Sequence, residues 1–104
     1  MTVHWTNGAV QQLQAIYDYI AHSSPQFAKR MVDRLTRRSE QIGTFPLSGR
    51  SVPEYQFAQV REVIEGTYRI IYHVKPDQID IIGVVHGSRL LTLDDVDSGE
   101  SEAE

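Results

Sequence analysis

The spacing of apolar residues changes once along this chain of 104 residues, from a helical period in its first half to an alternating period in its second half. A chain with this order folds as helices packed on an antiparallel sheet, not as alternating strand–helix–strand units. Between the two halves lies Thr44–Gln59, which Pro46, Gly49 and Pro53 interrupt. This stretch is long for a loop in a compact domain, and such loops are often functional.

Two amphipathic helices are predicted before that stretch. The first is capped by Thr6 or Asn7 and ends near His22. The second starts at Ser24-Pro25, with the serine as cap and the proline as first helical residue, and Gly43 suits its C-terminal cap. The connection between them is so short that the helices must form an antiparallel hairpin.

Three β-rich runs follow the irregular stretch. They are Val60–Glu65, Thr67–Val74 and Gln78–His86, and the short turns between them favour an antiparallel meander. The segment Val3–Trp5 can add a strand to the same sheet. The predicted fold is therefore an α+β domain with an N-terminal strand, an antiparallel helical hairpin and a three-stranded antiparallel meander.

Alternation predicts which residues share a face of the sheet. In the second run, Tyr68, Ile70, Tyr72 and Val74 oppose Thr67, Arg69, Ile71 and His73; in the third, Ile79, Ile81, Gly83 and Val85 oppose Asp80, Ile82, Val84 and His86. The helical hairpin is expected to cover one face. The other face, with Arg69 or His86 nearby, is then free to receive a partner or substrate.

The net charge of −4 divides unevenly along the chain. Six of the 14 acidic residues and none of the bases fall in Asp94–Glu104, so that the preceding 93 residues carry a net charge of +2. We therefore predict one domain over residues 1–93 and an acidic C-terminal tail over 94–104. The tail is expected to be solvated and dispensable for folding, because it has little to bury. A sharper alternative is that it screens the basic segment Gln26–Arg50.

Several classes of function are excluded by composition. Without cysteine there is no disulfide, zinc–thiolate site or thiol nucleophile. The four histidines show no paired metal-ligand spacing, there is no glycine-rich phosphate loop, and no apolar run could span a membrane. We expect a protein of the cytoplasm that uses no metal and no cofactor.

Arg61, Arg69 and His86 are the residues best suited to chemistry at a phosphate. His86 ends a strand and can exchange a proton or bind a phosphate, although spacing alone favours a histidine that bonds a neighbouring loop. The two arginines can clamp phosphates. They can instead pair with carboxylates across the strands, which is the commoner arrangement. The candidate carboxylates are Glu62, Glu65 and Asp80.

Two further features carry weaker hypotheses. Ser88 is followed by an arginine, and no general base is evident for it, so a serine nucleophile has little support. The Arg37-Arg38 cluster is typical of a solvated helix face. Its alternative, an electrostatic footprint for nucleic acid, is weakened by the lack of interleaved aromatic residues.

A set of short motifs gives the chain a family resemblance. In order, they are Trp5-Thr6 with Ala9 and Leu13; Ile16–Ile20; Ser24-Pro25 with Ala28; Phe45–Arg50; Val52–Glu54; Val60–Glu62; Tyr68–Tyr72; and Ile82–Arg89. Each is weak alone, but together they run in family order over nearly the whole chain before the tail. On these motifs the sequence resembles the RelE/ParE superfamily, the toxin halves of bacterial type II toxin–antitoxin pairs.

The resemblance implies one of two activities. The RelE branch contains metal-independent endoribonucleases that cut messenger RNA on the ribosome, and in that reading Arg61, Arg69 and His86 are the catalytic residues. The ParE branch contains proteins that poison DNA gyrase and have no catalytic residues. Here the tyrosine and the lysine-rich centre of RelE are missing, whereas Pro46–Arg50 and His86–Arg89 look ParE-like. The resemblance therefore favours the ParE branch. A non-toxic binding module with the same fold is a third alternative.

The resemblance also implies a cognate ParD- or RelB-like antitoxin and a hetero-oligomer with it. The target would be DNA gyrase, or the ribosome and messenger RNA in the alternative. No cofactor and no membrane partner are implied, and the location would be the bacterial cytoplasm. The predicted partner-binding residues are Trp5, Phe27, Arg61, Arg69, His86 and Arg89.

Overall fold

A computed structural model describes residues 1–55 and 57–98 of the chain. Over these residues the elements follow the predicted order, with one addition. They are β1 (Thr2–Trp5), α1 (Asn7–Ala21), α2 (Pro25–Thr44), β2 (Arg50–Ser51), β3 (Val60–Glu65), β4 (Tyr68–Val74), β5 (Gln78–His86) and a 3₁₀ turn at Leu93–Asp95. Among the described helices, none has the length and apolar character needed to cross a membrane.

The predicted helix caps are confirmed at both N-termini. The Thr6 hydroxyl accepts a hydrogen bond from the amide of Ala9 at 3.3 Å, and the Ser24 hydroxyl accepts one from the amide of Phe27 at 3.2 Å. The predicted C-terminal cap at Gly43 is wrong, because α2 runs through this residue to Thr44. Gly43 is buried, and a Cβ there would lie 2.7 Å from the carbonyl oxygen of Met1, so glycine permits close packing against the N-terminus.

The sheet has five strands in the order β1-β5-β4-β3-β2. The meander β3-β4-β5 is antiparallel as predicted, and β1 joins β5 in parallel. The addition is β2, in which Arg50 and Ser51 pair with β3 inside the stretch predicted to be irregular. The helical hairpin covers one face of the sheet. The main core lies between them and includes Leu35, Ile42, Ile70, Tyr72 and Ile81.

A bulge in β5 changes the predicted alternation. Ile71 pairs with Gly83 and Tyr72 with Ile81, so that Ile82 is an extra residue. Val84 consequently joins the main core, whereas Val85 joins a second cluster on the other face, with Val52, Ile71, Ile82 and Leu91. The predicted faces of Val84 and Val85 are therefore wrong, because a one-residue insertion reverses every later side chain.

Part of the acidic C-terminal stretch is packed against the domain. Residues 92–98, here named the C-terminal strap, cross the second cluster and the start of α1. The amide of Asp97 donates to the carbonyl of Ile82 at 2.7 Å, while its carboxylate accepts from the amide of Gly8 at 2.8 Å. Val96 packs on the second cluster, and Asp95 is only 4% exposed. The prediction of a solvated tail is wrong for these residues; Gly99–Glu104 lie outside the described residues.

Candidate functional site

Arg69 lies in β4 on the face of the sheet opposite the helices, and it is only 5% exposed. Its Nε donates to Glu62 at 2.7 Å. Its two terminal nitrogens donate to the carboxylate of Glu54 at 3.0 and 2.9 Å, and one of them also donates to the carbonyl of Arg89 at 3.2 Å. The expectation that the two arginines pair with Glu62, Glu65 or Asp80 is confirmed for Arg69, which pairs with Glu62, but not for Arg61, which bonds a carbonyl instead. Every nitrogen of the Arg69 guanidinium is therefore engaged within the protein.

Two carboxylates complete this cluster. Glu62 is 1% exposed and also accepts from Nε of Arg50 at 2.7 Å. Glu54 accepts from Arg69 and, at 2.9 Å, from the amide of Leu91. The hydrogen bonds from Arg69, followed by that from Leu91, lower the pKa of Glu54 from 4.5 to about 2. Hydrogen bonding to Glu54 in turn raises the pKa of Arg69, so this pair is ionised near neutral pH.

Arg61 lies on the helix-covered face at the far end of the sheet, opposite Tyr72 in the register. One terminal nitrogen donates to the carbonyl of Gly49 at 2.8 Å. Its Nε is buried and has no hydrogen-bond partner among the described residues. The amide of Gly49 donates to the Tyr72 hydroxyl at 2.9 Å, so Arg61 belongs to the contacts that hold the loop before β2.

His86 is exposed at the end of β5. Its Nδ1 lies 2.7 Å from the hydroxyl of Ser88 and accepts from the amide of Ser88 at 3.2 Å. Because that amide can only donate, Nδ1 is an acceptor, and the neutral ring carries its proton on Nε2. His86 is thus a base within reach of Ser88, which corrects the prediction that Ser88 has none.

An open groove of about 360 Å³ adjoins His86 between α1 and the end of β5. Tyr19, Tyr68 and Arg89 also line it. The rings of Tyr68 and His86 meet edge to face with centroids 5.8 Å apart. The groove offers aromatic surface and one cation, because Arg89 is exposed even though it pairs with Asp95 at 2.7 Å.

The structure does not bring Arg61, Arg69 and His86 together. In the register of β4 and β5, Tyr68 pairs with His86, and Arg69 pairs with Val85. Neighbouring residues of a strand point to opposite faces, so the side chains of Arg69 and His86 lie on opposite sides of the sheet. The face that was expected to have Arg69 or His86 nearby is therefore the face of Arg69, whereas the bulge in β5 places His86 on the helix-covered side.

The other predicted partner-binding residues differ in exposure. Trp5 packs against the main core, and its indole donates to the hydroxyl of Ser39 at 3.2 Å. Phe27 is 46% exposed at the tip of the helical hairpin. Beside it, Tyr19 is 81% exposed, and both line an open groove of about 700 Å³. Sequence reasoning missed Tyr19, although its position off the apolar stripe of α1 could have indicated exposure.

Glu54 is a second residue that sequence reasoning missed. It stands 15 residues before Arg69 in an irregular stretch, and no periodicity links the two. Over the described ranges, no cluster of histidine and carboxylate side chains has an arrangement that could hold a metal ion.

Three kinds of comparison relate the chain to known proteins. A family model described as the ParE toxin of the type II toxin–antitoxin system parDE matches residues 3–91. A relative named Toxin RelE2, from Caulobacter vibrioides, is 36% identical over 89 residues, which is 85% of this chain and 97% of that protein. A solved structure described as the chromosomal ParDE TA system from P. aeruginosa has a TM-score of 0.67 at 23% identity, covering 83% of this chain and 95% of that one. This last likeness concerns the fold alone, and it agrees with the α+β architecture.

Proposed function

The chain belongs to the ParE family of toxins of type II toxin–antitoxin systems, and from that premise we propose that it is the toxin of such a pair, that it acts by binding and poisoning DNA gyrase, and that a cognate ParD-like antitoxin neutralises it. The observation that carries the choice of target is the separation of Arg61, Arg69 and His86. It favours a protein that binds its target over one that cleaves RNA.

A metal-independent ribonuclease requires several side chains to meet at one phosphate. Such an enzyme places a base, an acid and cations around one phosphate. In this chain the guanidinium of Arg69 is committed to Glu54 and Glu62, and His86 lies across the sheet from it. Bringing Arg69 to a phosphate would break its bonds to both carboxylates and leave the buried Glu62 paired with Arg50 alone.

Exposed apolar side chains support the antitoxin as a partner. Tyr19 and Phe27 are open at the tip of the hairpin, and both are aromatic residues of the kind that anchor protein interfaces. An antitoxin segment that folds on binding could cover such a surface along the hairpin. We expect the complex to be a hetero-oligomer.

One specific observation favours the alternative, a ribosome-dependent ribonuclease. His86, Tyr68 and Arg89 meet at the groove beside β5, where a base, an aromatic ring and a cation are accessible. The name of one relative, Toxin RelE2, also points to this alternative. In this reading His86 is the essential residue, and Arg69 is not.

Expression in bacterial cells tests the proposal and its alternative together. Induction of the wild type should arrest growth, with DNA breaks and an SOS response, and co-expression of the neighbouring antitoxin should restore growth. His86→Ala should stay toxic, and Leu90→Ala, at a position that is 79% exposed, serves as its control. Toxicity that His86→Ala abolishes without loss of folding, accompanied by messenger RNA cleavage and no SOS response, would contradict the gyrase proposal. Harmless expression of folded protein would contradict the toxin role itself.

A further inference from the structure

The outer face of α2 is strongly basic. Five bases lie on this helix, Lys29, Arg30, Arg34, Arg37 and Arg38, against two acids, Asp33 and Glu40. By contrast, α1 carries only Asp18 and no base. The excess positive charge of the chain before residue 94 is thus concentrated on one helix, far in sequence from the acidic strap.

Most of this charge is not neutralised within the domain. Lys29, Arg30 and Arg37 are exposed and have no ion-pair partner in the part of the chain that the structure describes. Arg34 and Arg38 share one carboxylate, that of Glu65, at 2.8 and 3.9 Å. One carboxylate between two guanidinium groups leaves a net positive charge and holds both side chains near the surface of the helix.

The bases are also regularly placed. Arg30, Arg34 and Arg37 follow one another at intervals of four and three residues, which puts them on one side of the helix. At a rise of about 1.5 Å per residue, Arg30 and Arg37 lie roughly 10 Å apart along the axis. That length corresponds to roughly three steps between successive phosphates of one strand of duplex DNA, at about 3.4 Å per step along the helix axis.

We propose that the outer face of α2, centred on Arg30, Arg34 and Arg37, binds the phosphate backbone of duplex DNA without sequence preference. Charge complementarity is the argument for this partner, because arginine forks suit phosphate oxygens. A duplex requires no stacking platform, so the lack of aromatic residues among these bases, which counts against a single strand, is no obstacle. The inference goes beyond the gyrase proposal and is independent of it, since it concerns DNA alone.

Fluorescence anisotropy of a labelled DNA duplex of mixed sequence, titrated with the purified protein at several salt concentrations, tests the inference. With three to four phosphate contacts, the slope of log K against log salt should be about −3, and two unrelated sequences should bind alike. Arg30→Gln/Arg37→Gln should weaken binding at least tenfold at low salt and reduce the slope by about 2. The thermal melting temperature of the variant confirms that it remains folded.

A control variant with the same change in net charge distinguishes the effect of the α2 face on DNA binding from the effect of the protein's overall charge. Asn7→Asp/Gln11→Glu places the two added charges on α1, where both side chains are exposed, and should leave binding nearly unchanged. Asp33→Asn/Glu40→Gln, on α2 itself, should strengthen binding. Equal weakening by the α1 control would overturn the inference. So would competition by polyglutamate as effective as that by DNA at equal charge, which would point to an acidic protein partner instead.

Discussion

Arg69 is the residue whose surroundings most limit what this site can do. Its side chain joins β3, β4 and the two irregular segments around Glu54 and Arg89, on a face that no helix covers. An arginine in such a position stabilises the fold by keeping buried carboxylates paired. The resemblance alone would have assigned Arg69 to a target or a phosphate; its contacts assign it to the interior.

Replacement of Arg69 should therefore act on stability. We expect Arg69→Ala to lower the free energy of unfolding by about 3–5 kcal/mol, because Glu54 loses its arginine partner and the buried Glu62 loses one of its two. Urea denaturation measures this loss. Arg37→Ala, at an exposed site, is the control and should change stability by less than about 0.5 kcal/mol. An Arg69→Ala protein as stable as the wild type, yet unable to act on its target, would contradict this interpretation.

The ion cluster also makes a prediction about pH. The pKa of Glu54 is about 2 in the folded protein and 4.5 in its ordinary state, so ionisation of this group favours folding. Its contribution is complete above pH 4.5 and is lost as the pH falls from 4.5 towards 2. Glu54→Gln should cost about 1–3 kcal/mol at pH 7, and this difference from the wild type should shrink progressively in acid. A difference that stays constant from pH 7 to pH 2.5 would show that Glu54 is not held ionised by Arg69.

At the scale of elements, the sequence predicts the features that depend on neighbouring residues of the chain. The helix caps at Thr6 and Ser24, the meander and the pairing of Arg69 with a carboxylate across the strands follow from spacing. The bulge at Ile82 does not, because its free backbone groups are satisfied from distant segments. Gln12 accepts from the amide of Val84 at 2.8 Å, and the amide of Asp97 donates to the carbonyl of Ile82 at 2.7 Å. No periodicity within β5 reports such partners.

The C-terminal strap is expected to stabilise the domain. A chain ending at Leu93 loses the packing of Val96 and the hydrogen bonds of Asp95 and Asp97. We expect a loss of about 2 kcal/mol, which corresponds to a melting temperature lower by about 8–16 °C in a domain of this size. A chain ending at Ser98 keeps the whole strap and should melt within a few degrees of the full chain. Equal melting of the two truncated chains would contradict the role given to the strap.

Gly8 provides an independent test of how the strap docks. A Cβ at this position would lie 2.6 Å from the Cβ of Asp97, so Gly8→Ala should displace the strap and cost about 1–3 kcal/mol in the full chain. In the chain ending at Leu93 the obstacle is gone, and alanine, the better helix former, should then be neutral or slightly stabilising. Thermal unfolding of four proteins, with glycine or alanine at position 8 in the full chain and in the chain ending at Leu93, gives the coupling energy between the substitution and the truncation. Additive effects would mean that Asp97 does not contact α1 in this way.

At the scale of the whole molecule, the two faces of the sheet are covered by different parts of the chain. The helical hairpin covers one face, and its outer surface carries the exposed Tyr19 and Phe27 and the bases of α2. The other face is closed by the ion cluster, the loop from Val52 and the strap. The sequence motifs identify the family from the order of their residues. They do not show on which face of the sheet each residue lies, because that depends on the bulge.

Two parallel assays with purified wild-type protein test whether its target is DNA gyrase or the ribosome. One assay contains DNA gyrase, ATP and relaxed plasmid; the other contains ribosomes with a messenger RNA in place. We expect loss of supercoiling with accumulation of cleaved, gyrase-bound DNA in the first, its reversal by the antitoxin, and intact messenger RNA in the second. Ribosome-dependent cleavage of the messenger RNA, with gyrase unaffected, would contradict it.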